Sequence, residues 1–225
     1  MLRYGLIQWV PISQTGAIRI MITRNTERTG IVLPNGCKAV HGASANIKEP
    51  FTFTTLAMHE LDAGGGHAYH GQFGFIPFRD DSRLPRHIHI EERYGQDLEL
   101  VAERILVLNG VALTELAGEI YVTAPGTMVE IEPGIPHTWT ACPPGVVLLD
   151  GTVSDGQFLM VYEYSKPTGF YPTASIKPIS NIADYERYDG DLEAIRFPRL
   201  NANEVIATGT LIWNNQTTED LRLAN

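Results

Sequence analysis

The chain of 225 residues is 44% hydrophobic and 19% charged, which suits one large β domain or two small ones. Its 17 Lys and Arg side chains face 26 Asp and Glu, and without a basic cluster to neutralise phosphates a nucleic acid partner is excluded. Since no apolar run approaches the ~20 residues of a membrane-spanning helix and the N-terminus lacks a secretory signal, we expect a cytoplasmic protein without membrane contact.

Short predicted strands follow one another along most of the chain. They are rich in β-branched and aromatic residues and end at Gly, Pro, Asn or Asp. The runs are GLIQWVPI, AIRIMITR, FTFTTLAMHEL, FGFIPF, HIHIEER, LELVAERILVLNG, EIYVTA, MVEIEP, GVVLLDG and FLMVYEY. This pattern predicts an all-β sandwich or barrel without internal repeats. We expect one domain over residues 1–225, with N-terminal strands in 1–54, a barrel core in about 55–165 and a C-terminal extension in 166–225.

The C-terminal extension is predicted to be less regular than the barrel. Four prolines lie between Lys166 and Leu200, and we expect this stretch to wrap the outside of the barrel. The tail that follows could contain a short helix with Asn203 as its N-cap, although Gly209 disfavours helix.

Candidate metal ligands concentrate between residues 87 and 137. His87 and His89 alternate in HIHIEER, so a strand places both imidazoles on one face, where they can share a metal ion. Glu103 opens ERILVLNG, and His137 closes GTMVEIEPGIPH. Three imidazoles and one carboxylate suit a divalent transition metal.

These two blocks resemble the two motifs of the cupin superfamily, G(x)5HxH(x)3-4E(x)6G and G(x)5PxG(x)2H(x)3N. Gly126, Gly134 and His137 agree in register with the second motif, and the fifteen residues between Gly110 and Gly126 match the usual gap. The resemblance implies a double-stranded β-helix, the jelly-roll barrel that leaves no exposed sheet edge. It also implies one divalent transition metal ion per chain, held by His87, His89, Glu103 and His137.

The first motif departs from the family pattern, because thirteen residues separate His89 from Glu103 instead of three or four. A longer hairpin accounts for them: with a turn at residues 95–97, residue 89 falls opposite residue 103, and the even lengthening keeps Glu103 on the histidine face. Glu91, which shares that face, is the alternative ligand. The motifs' Gly, Pro and Asn are replaced at peripheral positions by Asp81, Glu132 and Ala141.

The resemblance leaves three functions open. The first is a non-haem dioxygenase that acts on a small aromatic or enolisable keto substrate, with Fe(II) favoured over Mn, Ni, Cu or Zn and with Glu103 as a catalytic proton acceptor. The second is an isomerase, cyclase or decarboxylase that uses the metal as a Lewis acid. The third is a non-catalytic ligand-binding barrel. Since cupins are often dimers, we also expect a homodimer.

An aromatic lining of the substrate pocket is predicted from strand alternation. Trp139 lies two residues beyond His137, while Phe73, Phe75 and Tyr162 alternate on neighbouring strands, and these rings favour a flat substrate. Ordinary barrel core is the alternative.

The remaining histidines and cysteines are assigned to less specific roles. His67 and His70 are expected in a solvent-facing loop, although a second metal or a substrate contact is the alternative. Cys37 and Cys142 are too few for a disulfide framework and are expected to be free thiols.

Overall fold

The structure is a computed structural model and describes residues 22–23, 30–49, 58–61, 68–79, 82–91 and 98–224. The N-terminal strands predicted within residues 1–21 and the loop around His67 lie outside these ranges. The described strands, in chain order, are β1 (Ile22–Thr23), β2 (Ile31–Val32), β3 (Lys38–Val40), β4 (Asn46–Glu49), β5 (Met58–Glu60), β6 (Phe73–Phe78), β7 (His87–Glu91), β8 (Glu103–Gly110), β9 (Ala112–Leu116), β10 (Glu119–Thr123), β11 (Met128–Ile131), β12 (His137–Ala141), β13 (Val146–Val147), β14 (Phe158–Tyr164), β15 (Thr168–Pro172), β16 (Thr210–Trp213), β17 (Gln216–Thr218) and β18 (Arg222–Leu223).

Two large sheets form the barrel. One has the strand order β15-β7-β12-β9-β10-β16-β17, and the other has the order β2-β3-β11-β8-β14-β6. Alternate side chains of each sheet face the other and pack into one core, with Ile105 and Val129 from the six-stranded sheet and Leu116 and Trp139 from the seven-stranded sheet. The prediction of an all-β jelly roll is confirmed.

The C-terminal extension contributes β15, β16 and β17 to the seven-stranded sheet, and the segments between these strands cover the outer face of that sheet. Ile88 and Ile90 of β7 point outward and pack against Ile179, while Phe197 and Val205 belong to a second buried cluster over β9 and β10. The expected wrapping of the barrel is therefore present. None of the helices in the described ranges is long and apolar enough to cross a membrane.

The short helix of the extension is α1 (Ala202–Thr208), and its predicted N-cap is wrong by two residues. The cap is Asn201, whose side chain accepts a hydrogen bond from the Glu204 amide, while the Glu204 carboxylate accepts one from the Asn201 amide. This capping box needs the acidic residue three positions after the cap. Asn203 has no such partner at position 206 and lies in the first turn.

The pairing predicted between residues 89 and 103 is also wrong. The chain returns along β7 with Ile90 opposite Leu100, and the Val101 amide donates to the His89 carbonyl. It then crosses to the six-stranded sheet, where Glu103 pairs with Ile131 on one side and Tyr164 on the other. The actual register differs by two residues from the predicted one, and an even difference leaves every side chain on its predicted face.

Candidate metal centre

Two adjacent strands of the seven-stranded sheet bring three histidines together. His87 and His89 face the barrel interior from β7, and His137 is the direct cross-strand partner of His87 on β12. All three side chains are buried, and one ring nitrogen of each lies within 4.8 Å of the others. This is the spacing at which imidazoles can share a metal ion.

The turn before β12 sets the position of His137. Gly134 has φ of +77°, and a Cβ atom there would collide with the Ile179 carbonyl oxygen. The Ile179 amide donates to the Gly134 carbonyl at 2.9 Å, so the C-terminal extension closes directly over this turn. The glycine is needed both for its positive φ and for this close approach.

Backbone carbonyls fix the orientation of all three rings. The Nδ1 atoms of His87, His89 and His137 lie 2.8, 2.9 and 2.8 Å from the carbonyl oxygens of Pro85, Gly169 and Ile135. Because a carbonyl only accepts, we assign the proton to Nδ1, which leaves a lone pair on each Nε2. Metal-binding histidines are commonly oriented by such a hydrogen bond.

Glu103 approaches the histidines from the opposite sheet. Its Oε2 atom lies 3.3 Å from His89 Nε2 and 3.0 Å from His137 Nε2. Neither contact has hydrogen-bond geometry, and all three atoms are buried. Lone pairs are costly to bury together without a cation, so this arrangement fits a divalent metal ion. The residues present therefore satisfy the donor set that such an ion requires.

The electrostatics of the cluster affect the protonation states of His87 and Glu103. Burial lowers the pKa of His87 well below its usual value, and the neighbouring imidazoles of His137 and His89 lower it further, which keeps the ring neutral. Burial raises the pKa of Glu103, but a positive charge on His89 or His137 outweighs it and takes the net pKa well below its usual range, so a cation beside this carboxylate keeps it ionised. A neutral imidazole and an ionised carboxylate are the forms that bind metal.

The alternative ligand, Glu91, lies on the same face of β7 but is engaged elsewhere. Its Oε2 atom is 3.2 Å from Lys166 Nζ, and Lys166 also pairs with Glu99. The carboxylate of Glu91 therefore already has a cationic partner. His70 is exposed, as expected for a loop, and Cys37 and Cys142 are buried free thiols, which confirms that prediction.

The four aromatic residues predicted to line the pocket fall into two environments: Trp139 and Tyr162 lie in the barrel core, which was the alternative, and the prediction is wrong for Phe73 and Phe75. Trp139 and Tyr162 belong to the interior, where Trp139 is fully buried in the core and Tyr162 packs against it. Phe73 and Phe75 lie on the outer face and are 70% and 69% exposed. The physical reason is the phase of β6: Phe73 pairs with Glu163, which binds Arg104 outside the barrel, while Gly74 pairs with Tyr162 inside it.

Two aromatic residues lie beside the histidines: Tyr164, which strand alternation places with Tyr162, and Phe170, which was not predicted to line the pocket. The Tyr164 ring is 4.5 Å from the His89 ring, and the Phe170 ring is 4.6 Å from the His87 ring. Phe170 was missed because β15 falls in the stretch predicted to be irregular. The alternation of Thr168, Phe170 and Pro172 after the Pro167 turn was the signal that could have found it.

The barrel thus carries an H-x-H pair on one strand, a third histidine on the adjacent strand and a glutamate on the opposite sheet. The fold is an all-β jelly-roll barrel, and its three buried histidines form a site that could bind a metal ion.

Comparisons with known proteins give only partial matches to this chain. The sequence matches no model of a protein family, and no curated protein matches it. Among solved structures, a dTDP-6-deoxy-D-glucose-3,5-epimerase from Legionella pneumophila aligns with a TM-score of 0.39 and 12% identity over 61% of this chain and 71% of its own. A salicylate 1,2-dioxygenase from Pseudaminobacter salicylatoxidans aligns with a TM-score of 0.30 and 13% identity.

The match to the dioxygenase covers 41% of this chain and 20% of the dioxygenase chain. A protein of unknown function from Streptococcus pyogenes aligns with a TM-score of 0.30 and 18% identity over 43% of this chain and 65% of its own. This chain therefore aligns with about a fifth of the dioxygenase and just under two thirds of the streptococcal protein. Similarities of this size carry no information on the reaction.

Proposed function

We propose that the protein is a metal-dependent cupin enzyme, a non-haem dioxygenase that acts on a small aromatic or enolisable keto substrate. His87, His89, Glu103 and His137 hold one divalent transition metal ion per chain in this proposal, with Fe(II) favoured. One observation carries it: the Nε2 atoms of His89 and His137 and the Glu103 carboxylate converge in the buried interior beside His87, as the ligands of one metal ion would.

The donor set narrows the choice of metal. Neutral imidazoles with a carboxylate suit Fe(II), Mn(II), Ni(II), Cu(II) and Zn(II), whereas Mg(II) and Ca(II) prefer oxygen ligands throughout. A bound ion of this series supplies Lewis acidity to substrate oxygens and, when it is redox-active, access to dioxygen chemistry.

The chain's own residues orient the ligands and exclude water. The carbonyls of Pro85, Gly169 and Ile135 hold the three imidazole rings in place. Little rearrangement of these rings is therefore needed when a metal ion binds. Tyr164 and Trp139 are buried and remove bulk water from the interior. In this proposal Glu103 accepts the proton that an acidic substrate hydroxyl releases on binding, and this role requires neutral His89 and His137, because a positive charge on them would hold the Glu103 pKa too low for a base.

The reaction class is tested by oxygen uptake of protein reconstituted with each of the five metals. Catechols, hydroxybenzoates and cyclic β-diketones serve as substrates, with His137→Ala as the inactive variant and His70→Ala, at an exposed position, as its matched control. We expect substrate-dependent oxygen consumption by the iron form of the parent and of His70→Ala, and none by His137→Ala.

Turnover that continues without oxygen would contradict the dioxygenase and favour the isomerase, cyclase or decarboxylase chemistry of a Lewis-acidic metal. Binding of these compounds without turnover under either condition would favour a ligand-binding barrel. We further propose a homodimer in the cytoplasm, and light scattering of the purified protein tests the dimer: a mass of one chain contradicts it.

A further inference from the structure

Phe170 differs from the other side chains around the histidines in its exposure. It is the cross-strand partner of His89, and paired residues share a sheet face, so Phe170 lies on the interior side. Its ring centroid is 4.6 Å from that of His87 and 5.4 Å from that of His89. The three histidines are at most 2% exposed, whereas Phe170 is 52% exposed.

The position of Phe170 in the sheet explains this exposure. Within the described residues, β15 is one of the two edge strands of the seven-stranded sheet, and β6 is one of the two edge strands of the other sheet. The Gln72 side chain ties the two sheets together at the start of β15, because its amide donates to the Thr168 carbonyl at 2.8 Å and accepts from the Thr168 amide at 3.0 Å. Phe170 is two residues beyond this tie, where the interior meets solvent.

The surroundings of Phe170 are aromatic. Tyr164 packs on His89 with a centroid distance of 4.5 Å, and Tyr162 lies 5.2 Å from Tyr164. A planar ring that entered beside Phe170 would meet aromatic faces before it reached the Nε2 atoms. Aromatic pairs gain from offset or edge-to-face contact beyond the area that they bury.

We propose that Phe170 forms one wall of the entrance to the metal centre and contacts the ring of the incoming substrate. It is then a specificity-determining residue that favours planar aromatic or enolised cyclic compounds over small non-aromatic chelators. This inference rests on the proposed function and deepens it by assigning the recognition of the ring to a residue outside the ligand set.

The test measures, by absorbance, how tightly two chelating probes bind to the metal-loaded protein. The probes are 4-nitrocatechol, a planar chromophoric diol, and acetohydroxamate, a non-aromatic chelator that also binds through two oxygens. The variants are Phe170→Ala, Phe170→Leu and Phe75→Ala, the last at an exposed phenylalanine on the outer face. Metal content is measured for each variant, so that loss of metal is separated from loss of the ring contact.

We expect Phe170→Ala to weaken 4-nitrocatechol binding by about three- to tenfold, which is the size of one aromatic contact. Phe170→Leu should fall between Phe170→Ala and the parent, acetohydroxamate binding should stay within about twofold, and Phe75→Ala should match the parent for both probes. An unchanged affinity of Phe170→Ala for 4-nitrocatechol, or an equal loss for both probes at full metal content, would overturn the inference alone. A parent that binds neither metal nor probe would overturn the proposed function and this inference together.

Discussion

Two buried carboxylates on opposite faces of the barrel wall are stabilised in different ways. Glu115, on the outer face and 4% exposed, receives two hydrogen bonds from the Arg86 guanidinium, at 2.6 and 3.1 Å. Glu103, on the inner face and 3% exposed, faces the ring nitrogens of His89 and His137 and pairs with no Lys or Arg within the described ranges. A buried charge needs a counter-charge. For Glu115 that counter-charge is Arg86, and for Glu103 we propose a metal ion that it binds together with the three histidines.

The largest effect is expected where a ligand of the inner face is removed. His89→Ala should weaken metal binding by at least about 100-fold, since even outer-shell changes cost 10–100-fold. Competition with a chromophoric chelator measures the affinity. His70→Ala, at an exposed position, should bind metal like the parent. Equal affinities for His89→Ala and the parent would show that the cluster holds no metal.

On the outer face, removal of the counter-charge should reduce stability. Arg86→Ala leaves Glu115 buried and unpaired, and we expect the free energy of unfolding of the metal-free protein to fall by about 3 kcal/mol. Urea denaturation measures it. The double variant Arg86→Met with Glu115→Leu should recover most of the loss, because an apolar pair needs no counter-charge. A loss below about 1 kcal/mol in Arg86→Ala would contradict this account of Glu115.

Glu103→Gln tests whether the inner carboxylate contributes to metal binding rather than to the stability of the metal-free fold. Metal affinity should fall about 10- to 100-fold. The free energy of unfolding of the metal-free protein should fall by less than in Arg86→Ala, since Gln keeps a hydrogen-bonding side chain at this position and loses only the charge interaction with His89 and His137. Urea denaturation with and without metal measures both quantities. If Glu103→Gln lowers the free energy of unfolding of the metal-free protein as much as Arg86→Ala does, Glu103 stabilises the fold itself and its role as a metal ligand is contradicted.

The smallest effect concerns a buried histidine outside the metal centre. Burial lowers the pKa of His41, which stacks on Trp213 at 4.3 Å, and Asp150 partly opposes that shift. The unfolded chain therefore binds a proton below about pH 6.5 that the folded chain does not, and stability falls as pH decreases from 7 towards 5.

His41→Asn removes this titration, and Asn can still accept from the Ala43 amide as His41 does. The difference in unfolding free energy between pH 7 and pH 5 should shrink by less than about 1 kcal/mol relative to the parent. Urea denaturation at the two pH values measures it. An unchanged or larger difference would contradict the assignment of the titration to His41.

The sequence predicted the histidine face because the alternation of a strand depends on local order alone. His87 and His89 share one face of β7 whatever the strand pairs with, and Ile88 and Ile90 share the other. The position of Glu103 followed from the same parity, even though its predicted partner was wrong.

Local alternation could not predict which of the two faces of a strand points inward, or which distant strand it pairs with. FGFIPF has apolar residues on both faces, so its alternation could not show that Gly74 and Ile76 face inward and Phe73 outward. The place of Phe170 depends on β15 pairing with β7 across more than 75 residues of sequence, and the local alternation can indicate that strand but not its partner.

The most direct test of the account is the metal content of the parent, Glu103→Gln and His137→Ala, purified without added metal and again after reconstitution, by plasma mass spectrometry. The account predicts about one transition metal ion per chain in the parent and a marked loss in both variants. A parent that holds no metal even after reconstitution, or variants that hold as much as the parent, would contradict it.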